Sequence, residues 1–516
     1  MKRILSVLLL AALALSLFGS PALAEGSQPE KFHSGDGYIY ILEEDGTAAI
    51  TGYTGKEKKL VIPSQLDGHT VTSLRYRAFY EAKMITEVVI PDTVKTIGSY
   101  CFDWCTGLQS VSLPDGLESI GGSAFYYCKK LSKINIPDSV TKAGEGLFAG
   151  CAALKEITLS PDHPLLVMAN GALFNRVDSV LLWYPASGKD KEYTVPEGTK
   201  GIGLQAFFET KVEKIVLPDS VEILSSGAFS GCDKLKTVNI PPKVTEVNDL
   251  FSLCKCLESI VVNSENTALE SIDDVLFDKA THTLIKYPAA KKDKTFAVPE
   301  GTEIIGKSAF EYAGLVEITL PDSVRVIGSN AFLCCEKLKD ILLPEGLETL
   351  ESTPFQYCKS LTKVVLPASL KSISSNPFLN CSKLTEFEIA EGNTALELVC
   401  GCLVQREGMI VRACPAGIKS KKLEFPAGIR QIEGNAFGYC AGIEEIVFAD
   451  GLEKIGSRAF ATCKKLKKIV LPASLAEIDR TAFDMSKVKN TVFVVTPGSY
   501  AEEFCKTYSL KTQYAE

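Results

Sequence analysis

The chain has 516 residues, of which 46% are hydrophobic, and its 55 basic and 63 acidic side chains give a formal net charge of −8. Both signs are interspersed along the sequence, so the concentrated cationic face that phosphate backbones require is missing. This composition argues against a nucleic-acid partner, and the acidic balance indicates a soluble chain.

Residues 1–24 have the pattern of a signal peptide. Lys2 and Arg3 form a positive end, an uncharged apolar run follows from Ile4 to Phe18, and residues 22–24 supply the small side chains of a cleavage site after Ala24. The alternative is a retained membrane anchor, but the run is shorter than the roughly 20 residues that span a bilayer. We expect an exported chain without a membrane span, with 53 (55 − 2) basic and 63 acidic side chains after cleavage.

The next segment, residues 25–75, is predicted to close the N-terminal end of the fold. Tyr38 to Leu42 and Ala48 to Tyr53 are interpreted as two strands, and Glu44-Asp45-Gly46 between them consists of turn residues. We expect a capping hairpin followed by the first coil of a repeat.

Between residues 76 and 490, phenylalanine recurs at a spacing of about 23 residues. The marker positions are Phe79, Phe102, Phe125, Phe148, Phe207, Phe229, Phe251, Phe310, Phe332, Phe355, Phe378, Phe437, Phe460 and Phe483. Such a repeat indicates a solenoid, in which each coil buries its apolar face only against its neighbours. One elongated domain is therefore expected.

The coil from Leu108 to Lys130 shows how one unit is built. Residues 111–113 alternate inward and outward as a short strand, Pro114 ends it, and Asp115-Gly116 makes the turn. Stacking places successive strands about 4.8 Å apart in a parallel sheet, which predicts a solenoid roughly 80 Å long. The expected fold is an α/β solenoid, mostly β, with capped ends.

The repeat is interrupted three times by insert-bearing coils, near residues 160–195, 263–298 and 390–425. Each contains a predicted β-hairpin with a polar turn, at residues 175–179, 278–282 and 405–408, and a lysine-rich loop follows. One interpretation makes the hairpins a variant coil that bends or stiffens the solenoid. The other makes them ligand contacts, with Trp183, Tyr184 and Tyr287 at the centre and the lysines as a charged rim, because aromatic residues favour interface centres.

The last segment, residues 491–516, is predicted to be a strand and a capping helix. Ser499 to Glu502 is a capping box, and Tyr500, Phe504 and Tyr508 are placed on one face of the helix that it starts.

Seventeen cysteines in an exported chain suggest disulfides at first sight. Ten of them, however, stand three residues after a marker phenylalanine, where the other coils have Ala, Thr or Ser. Side chains stacked in one column are poorly oriented for bridges, and a thiol also serves as a small buried hydrophobe. We predict a column of buried thiols. For Cys400, Cys402 and Cys414, burial, a disulfide and a three-ligand metal site stay open, although a structural zinc site normally has four ligands.

Catalytic chemistry finds little support. The four histidines fall in separate coils, and the sequence has no P-loop, Gly-x-Ser-x-Gly or His-Glu-x-x-His motif. Equivalent positions in distant coils do not converge as acid–base or nucleophilic catalysis requires. We predict no catalytic centre, no metal and no cofactor.

The outward side chains of the strands form the candidate ligand surface, in which small polar and β-branched residues dominate. It includes Asn135, Thr158, Val216, Asn239, Thr319 and Val365. A long, nearly uncharged face without a cleft suits a protein, a peptide or an extended glycan better than a small molecule. Strand propensity alone also selects Val and Thr, so this pattern has a purely structural explanation too.

The repeat resembles the BspA-type bacterial leucine-rich repeat. Residues 134–137 (Ile-Asn-Ile-Pro) with Val140, and Val324 with Ile327-Gly328 and Ala331-Phe332, match its pattern, and the likeness extends from Ile62 to Phe483. The resemblance implies a leucine-rich-repeat solenoid of an exported or surface protein of bacteria, and adhesion to host or microbial surfaces.

The sequence as a whole therefore predicts a non-enzymatic exported protein, secreted or associated with the cell surface. Its predicted partner is a protein or an extended glycan on a host or bacterial surface, and its predicted role is adhesion. A structural surface or matrix spacer without a foreign ligand is the alternative, and a glycan-processing enzyme is a third hypothesis.

Overall fold

The computed structural model describes residues 29–484 and 488–515. The predicted signal peptide, residues 1–24, lies outside the described residues. Four blocks of regular coils are separated by three inserts, and parallel pairing between successive coils runs through every block. The expected mostly β solenoid of coils of about 23 residues is confirmed.

The first block begins with the capping hairpin, whose strands Tyr38–Leu42 and Ala48–Tyr53 pair antiparallel at the expected bounds. Its strands β1 to β13 are Phe32–His33, Tyr38–Leu42, Ala48–Tyr53, Lys59–Val61, Gln65–Leu66, His69–Leu74, Glu87–Val89, Thr96–Ile97, Ser110–Ser112, Ser119–Ile120, Lys133–Asn135, Lys142–Ala143 and Glu156–Thr158.

The first insert and the second block follow. Strands β14 to β16 of the insert are Leu166–Ala169, Ala172–Asn175 and Val180–Trp183. Strands β17 to β22 of the block are Glu192–Thr194, Gly201–Ile202, Lys214–Val216, Ile223–Leu224, Thr237–Ile240 and Ser259–Val262.

The second insert and the third block repeat this arrangement. Strands β23 to β25 of the insert are Leu269–Ile272, Val275–Asp278 and Thr283–Lys286. Strands β26 to β34 of the block are Thr295–Ala297, Ile304–Ile305, Glu317–Thr319, Val326–Ile327, Asp340–Leu342, Thr349–Leu350, Lys363–Leu366, Ser372–Ile373 and Glu386–Ile389.

The third insert and the fourth block complete the chain. Strands β35 to β37 are Leu396–Val399, Cys402–Gln405 and Ile410–Ala413. Strands β38 to β45 are Lys422–Phe425, Gln431–Ile432, Glu445–Phe448, Lys454–Ile455, Lys468–Val470, Glu477–Ile478, Val492–Val495 and Lys511–Tyr514, with a 3-10 helix at Val488–Asn490 and helix α1 at Tyr500–Thr507.

Each regular coil contributes two strands. The strand predicted from the alternating residues has three or four residues, and we call this row the front strands. A second, two-residue strand such as β10 pairs with its equivalents in neighbouring coils and forms the back strands. The front strands form parallel sheets as expected, and these end at each insert and also between β9 and β11 and between β30 and β32.

The marker phenylalanines form the centre of the core. Phe332 and Phe355 stack with ring centroids 4.9 Å apart and ring planes 2° from parallel, and Phe79 and Phe102 do so at 5.0 Å and 9°. Within each block every marker ring contacts the marker ring of the next coil, so the coils of a block share one apolar column. The spacing of phenylalanine in the sequence therefore reports the pitch of the fold.

The predicted column of buried thiols is confirmed, and the structure adds a reason for cysteine. All ten ladder cysteines are buried. In nine of them the thiol donates a hydrogen bond to the carbonyl of the marker phenylalanine in the preceding coil, as Cys105 does to Phe79 at 3.0 Å. Burial raises the pKa of the Cys105 thiol to about 12, which keeps it protonated and able to donate.

The C-terminal end has the expected capping helix. The Ser499 hydroxyl accepts a hydrogen bond from the Glu502 amide, while the Glu502 carboxylate accepts one from Gly498. Phe504 is buried, but Tyr500 and Tyr508 are 39% and 48% exposed, so the predicted aromatic face is only partly covered. No helix within the described ranges is long and apolar enough to cross a membrane.

Candidate functional site

The front strands present the predicted column of outward side chains. Asn135, Thr158 and Thr319 are exposed and Val365 is 36% exposed, whereas Val216 is half-buried. The register places Asn135 directly beside Thr158. The interruptions at the inserts divide the column into four separate patches.

Asn239 lies on this face, but its amide group already has partners. Its side-chain oxygen accepts a hydrogen bond from the Leu217 amide at 2.8 Å, and its side-chain nitrogen donates to the Leu217 carbonyl at 2.7 Å. The side chain therefore takes the place of a strand hydrogen bond between two coils. A ligand gains little from Asn239, because those hydrogen bonds would have to break first.

The most open apolar position of the column lies in the third block. Leu342 is 74% exposed and pairs in register with Thr319. In the same two strands Glu317 lies beside Asp340, and among the described residues neither carboxylate has an ion-pair partner. Like charges directly opposite each other are unfavourable in a sheet. This patch therefore combines an exposed leucine with two carboxylates whose mutual repulsion a cationic group would reduce.

The hypothesis that the insert aromatics contact a ligand is wrong. Tyr184 and Tyr287 are 2% and 0% exposed, and each stacks on a marker phenylalanine (Phe207 and Phe310) at 5.3 Å. They occupy the position of the marker residue in their own coils, so each extends the aromatic column of the following block by one ring. Burial raises the pKa of the Tyr287 hydroxyl, which lies 3.1 Å from Asp293.

Trp183 is also part of the core. It is 4% exposed and meets Phe148, the last marker ring of the first block, edge to face at 6.2 Å. Sequence pattern could not separate these positions from an exposed aromatic strip, because Trp and Tyr are frequent in both settings. The burial of all three aromatics favours the variant-coil interpretation of the inserts.

The lysine-rich loops form a partly neutralised basic rim, because four of their eight lysines have intramolecular ion pairs. Lys191 lies 3.4 Å from Glu213, and Lys421 lies 3.3 Å from Glu444. Lys291 pairs with Asp293 in the second loop. The first two pairs balance acids of the following coil, whereas Lys189, Lys292, Lys294 and Lys419 are exposed and have no ion-pair partner among the described residues.

A second aromatic surface lies on the turns of the first three coils, and the sequence analysis missed it. Trp104 and Tyr127 stack at 4.7 Å, and the Arg77 guanidinium lies 4.8 Å from the ring centre of Tyr80. Trp104 is 38% and Tyr80 43% exposed. The signal was present as aromatic residues one and two positions after the marker phenylalanine, at Tyr80, Trp104, Tyr126 and Tyr127.

The His, Cys, Asp and Glu side chains that the structure describes do not converge on a metal site. Within residues 29–484 and 488–515, no group of three or more His, Cys, Asp or Glu side chains is arranged to hold a metal ion. Cys400 donates its thiol hydrogen to the Glu424 carbonyl at 2.9 Å, and Cys402 and Cys414 are buried. All seventeen cysteines have free thiols.

Comparison with known families gives an assignment for the repeat. Residues 72–176, 187–296, 289–400 and 410–514 match the family model described as the BspA type leucine rich repeat region. No curated protein matches the chain.

Several solved bacterial structures are similar. A leucine rich cell surface protein from Faecalibacterium prausnitzii has 28% identity over 82% of this chain and 96% of its own, with a TM-score of 0.44. The pneumococcal vaccine antigen PcpA has 18% identity over 95% and 100%, with a TM-score of 0.35. A leucine-rich repeat protein from Eubacterium ventriosum has 20% identity over 90% and 96%, with a TM-score of 0.33. All three TM-scores are below 0.5, so the assignment depends on the family match and not on superposition.

Proposed function

The chain belongs to the BspA-type leucine-rich-repeat family, and from this premise we propose that it is a non-enzymatic binding protein acting at or outside the cell surface, in adhesion. Proteins with this repeat and fold are generally non-enzymatic. The predicted signal peptide and the similarity to a leucine rich cell surface protein support the location.

The observation that carries the proposal is the front-strand patch around Leu342. Leu342 has 74% of its surface exposed, and in the same two strands Glu317 and Asp340 place two like charges directly opposite each other, which is unfavourable without a cationic partner. A protein surface with apolar and basic groups, or a glycan with cationic substituents, would cover the leucine and neutralise the acids. The patch has no closed cavity shape and therefore suits an extended ligand.

The test is a binding screen of residues 25–516 against immobilised matrix proteins, mucins, bacterial cell-wall fractions and glycans. We expect one saturable partner, weakened at least about tenfold by Val365→Glu because a charge is desolvated at the interface. Ile223→Glu is the control, since Ile223 is an aliphatic residue on a back strand and is more exposed than Val365 (58% against 36%).

Equal loss of binding in both variants would place the ligand elsewhere. Retention on bacterial wall fractions alone, with no host ligand, would favour the structural spacer. Release of soluble sugar from a glycan would favour the glycan-processing enzyme, and either result would contradict adhesion.

A further inference from the structure

The front strand β13 ends its sheet at the first insert. Parallel strands bond alternate residues to each neighbour. The Ile136 amide donates to the Thr158 carbonyl at 3.1 Å, so the main-chain groups of Thr158 face the preceding strand β11. The amides of Ile157 and Leu159 therefore face away from β11, towards the insert.

These two outward amides lack partners. In the part of the chain that the structure describes, neither the Ile157 nor the Leu159 amide donates a hydrogen bond to another residue on the insert side. Ile157 is 7% exposed, and a buried amide without a partner is rare in folded proteins. The edge is thus poised to receive acceptors.

The second insert shows what closes such an edge. At the equivalent strand β22, the Ile260 amide donates to the Asp274 carbonyl at 3.2 Å and the Val262 amide to the Ser271 hydroxyl at 3.1 Å. Methionine (Met168) stands at the serine position in the first insert and has no hydroxyl. The chain closes the β22 edge with its own atoms and leaves the β13 edge open. At β34, before the third insert, Leu398 stands at the serine position, and the amides of Phe387 and Ile389 likewise have no partner among the described residues.

The open edge also has a charge that the chain does not neutralise. The Glu156 carboxylate is exposed, and no described lysine or arginine lies within ion-pair distance of it, although Lys133 is its register neighbour. In the next sheet the equivalent Glu192 is paired with Lys214 of the adjacent strand at 2.8 Å. A strand added beyond β13 would supply the missing cation if it carried a basic residue at this level.

A groove runs along this edge. It is lined by Glu156, Thr158, Ser160, Val167 and Met168. Its wall therefore offers a carboxylate, two hydroxyls and the side of a flexible thioether. These are contacts for an extended main chain with side chains on alternate faces.

We propose that β13 is a docking edge for an extended peptide segment of a partner protein, which adds a strand to the front sheet and places a lysine or arginine beside Glu156. Two positions along, a β-branched side chain of the peptide packs beside Thr158. This inference rests on the proposed function, since it takes the front strands as the ligand face. It names a peptide as the ligand class for the part of that face at β13. Strand addition supplies main-chain hydrogen bonds, and the Glu156 position supplies the selectivity.

The test uses the mature chain and a displayed library of short linear peptides. We expect enriched peptides to share a basic residue two positions from a β-branched one. Glu156→Lys should invert the preference to acidic peptides without affecting folding, because the Glu156 side chain is exposed. Only every second amide of the bound peptide faces β13. N-methylation of the amides that face β13 should therefore abolish binding, and N-methylation of the intervening amides should leave it unchanged.

A reciprocal pair of variants provides the matched control. Met168→Ser gives the first insert the hydroxyl of the second and should lower peptide affinity about tenfold, the value of roughly one hydrogen bond. Ser271→Met removes the hydroxyl at β22 and should leave affinity at β13 unchanged. Hydrogen exchange in the peptide complex should protect Ile157 and Leu159.

Several outcomes overturn the inference. One is the absence of any enriched peptide, and another is enrichment that ignores both Glu156→Lys and Met168→Ser. Suppose that a glycan or matrix ligand no longer binds the Val365→Glu variant and is not displaced by peptide. The proposed function would then stand, and the docking edge at β13 would be rejected. If peptides bind at β13 but Val365→Glu weakens no surface ligand, the docking edge would stand and the proposed function would be rejected.

Discussion

The first and second inserts have the same strand plan but fill their interiors with different chemistry. Trp183 in the first insert corresponds to Lys286 in the second. In the coil that follows each insert, Phe208 after the first corresponds to Glu311 after the second. Lys286 and Glu311 are 4% exposed each and form a buried ion pair at 3.6 Å. The insert backbone therefore tolerates either an apolar or an ionic filling, provided that volume and charge are both satisfied.

The two inserts also differ at a buried polar position. His163 in the first insert accepts hydrogen bonds from the amides of Leu165 and Leu166 through Nδ1, each at 3.1 Å. Asn266 in the second accepts from Ala268 and Leu269 through its side-chain oxygen in the same way. The asparagine nitrogen also donates to two carbonyls, whereas Nε2 of His163 has no partner among the described residues.

The largest expected effect comes from breaking the ionic filling. Lys286→Met should lower the free energy of unfolding by about 4 kcal/mol, because it leaves the Glu311 charge buried and uncompensated. The loss should be measured by urea unfolding together with hydrogen exchange in residues 250–311, since solenoid coils unfold in parts.

The double variant Lys286→Met with Glu311→Gln is the control for that effect. It removes both charges and keeps an acceptor for the Leu253 amide, which donates to Glu311 at 3.0 Å. Most of the stability should return. A double variant as unstable as the single one would mean that packing of the lysine, and not its charge, holds the second insert.

Disrupting the apolar filling of the first insert should lower the free energy of unfolding by less. Trp183→Ala should cost about 3 kcal/mol through the cavity left beside Phe148, and the loss should not depend on pH or salt. Trp183→Phe, which keeps an aromatic ring there, should recover about half. A salt-dependent loss in Trp183→Ala would contradict the contrast between the two fillings.

The sequence predicted the features that repeat and not those that occur once. The marker phenylalanines and the residue three positions later specify the core column, because every coil imposes the same packing on those positions. The hairpin strands β15–β16, β24–β25 and β36–β37 were also predicted from their polar turns. Even so, the two-residue back strands were missed, since a pair such as Ser119–Ile120 is too short to show alternation.

The candidate surface was predicted less well, for a physical reason. Whether Tyr287 faces ligand or core depends on where the insert places it relative to Phe310, and no local pattern contains that information. The same applies to Asn239, whose partner Leu217 lies in the preceding coil. The outward orientation of Thr158 and Thr319 was predictable because alternation in a strand is local.

The buried His163 should make the stability of the first insert sensitive to acid. Burial lowers the pKa of His163 below its usual value, and its Nδ1 must stay unprotonated to accept two amides. Because the folded pKa is below the unfolded one, this stability is complete above pH of about 6.5 and is lost as pH falls through the folded value.

His163→Asn isolates that effect, since Asn266 performs the same role in the second insert. The urea midpoint of the natural chain should fall more between pH 7.5 and pH 5 than that of His163→Asn, and hydrogen exchange at Leu165 should follow it. The other histidines are the same in both chains, so the comparison isolates His163. Equal acid sensitivity in both chains would assign the effect to carboxylates instead.

The smallest expected effect tests the closed edge itself. Ser271→Ala removes the acceptor of the Val262 amide and should cost about 1 kcal/mol, with faster hydrogen exchange confined to Val262. The amide of Ile260 keeps its bond to the Asp274 carbonyl and should exchange as before. If Val262 is no less protected in Ser271→Ala, the hydroxyl does not close the edge, and the difference between β22 and β13 must lie in the backbone of the insert rather than in the choice of serine or methionine.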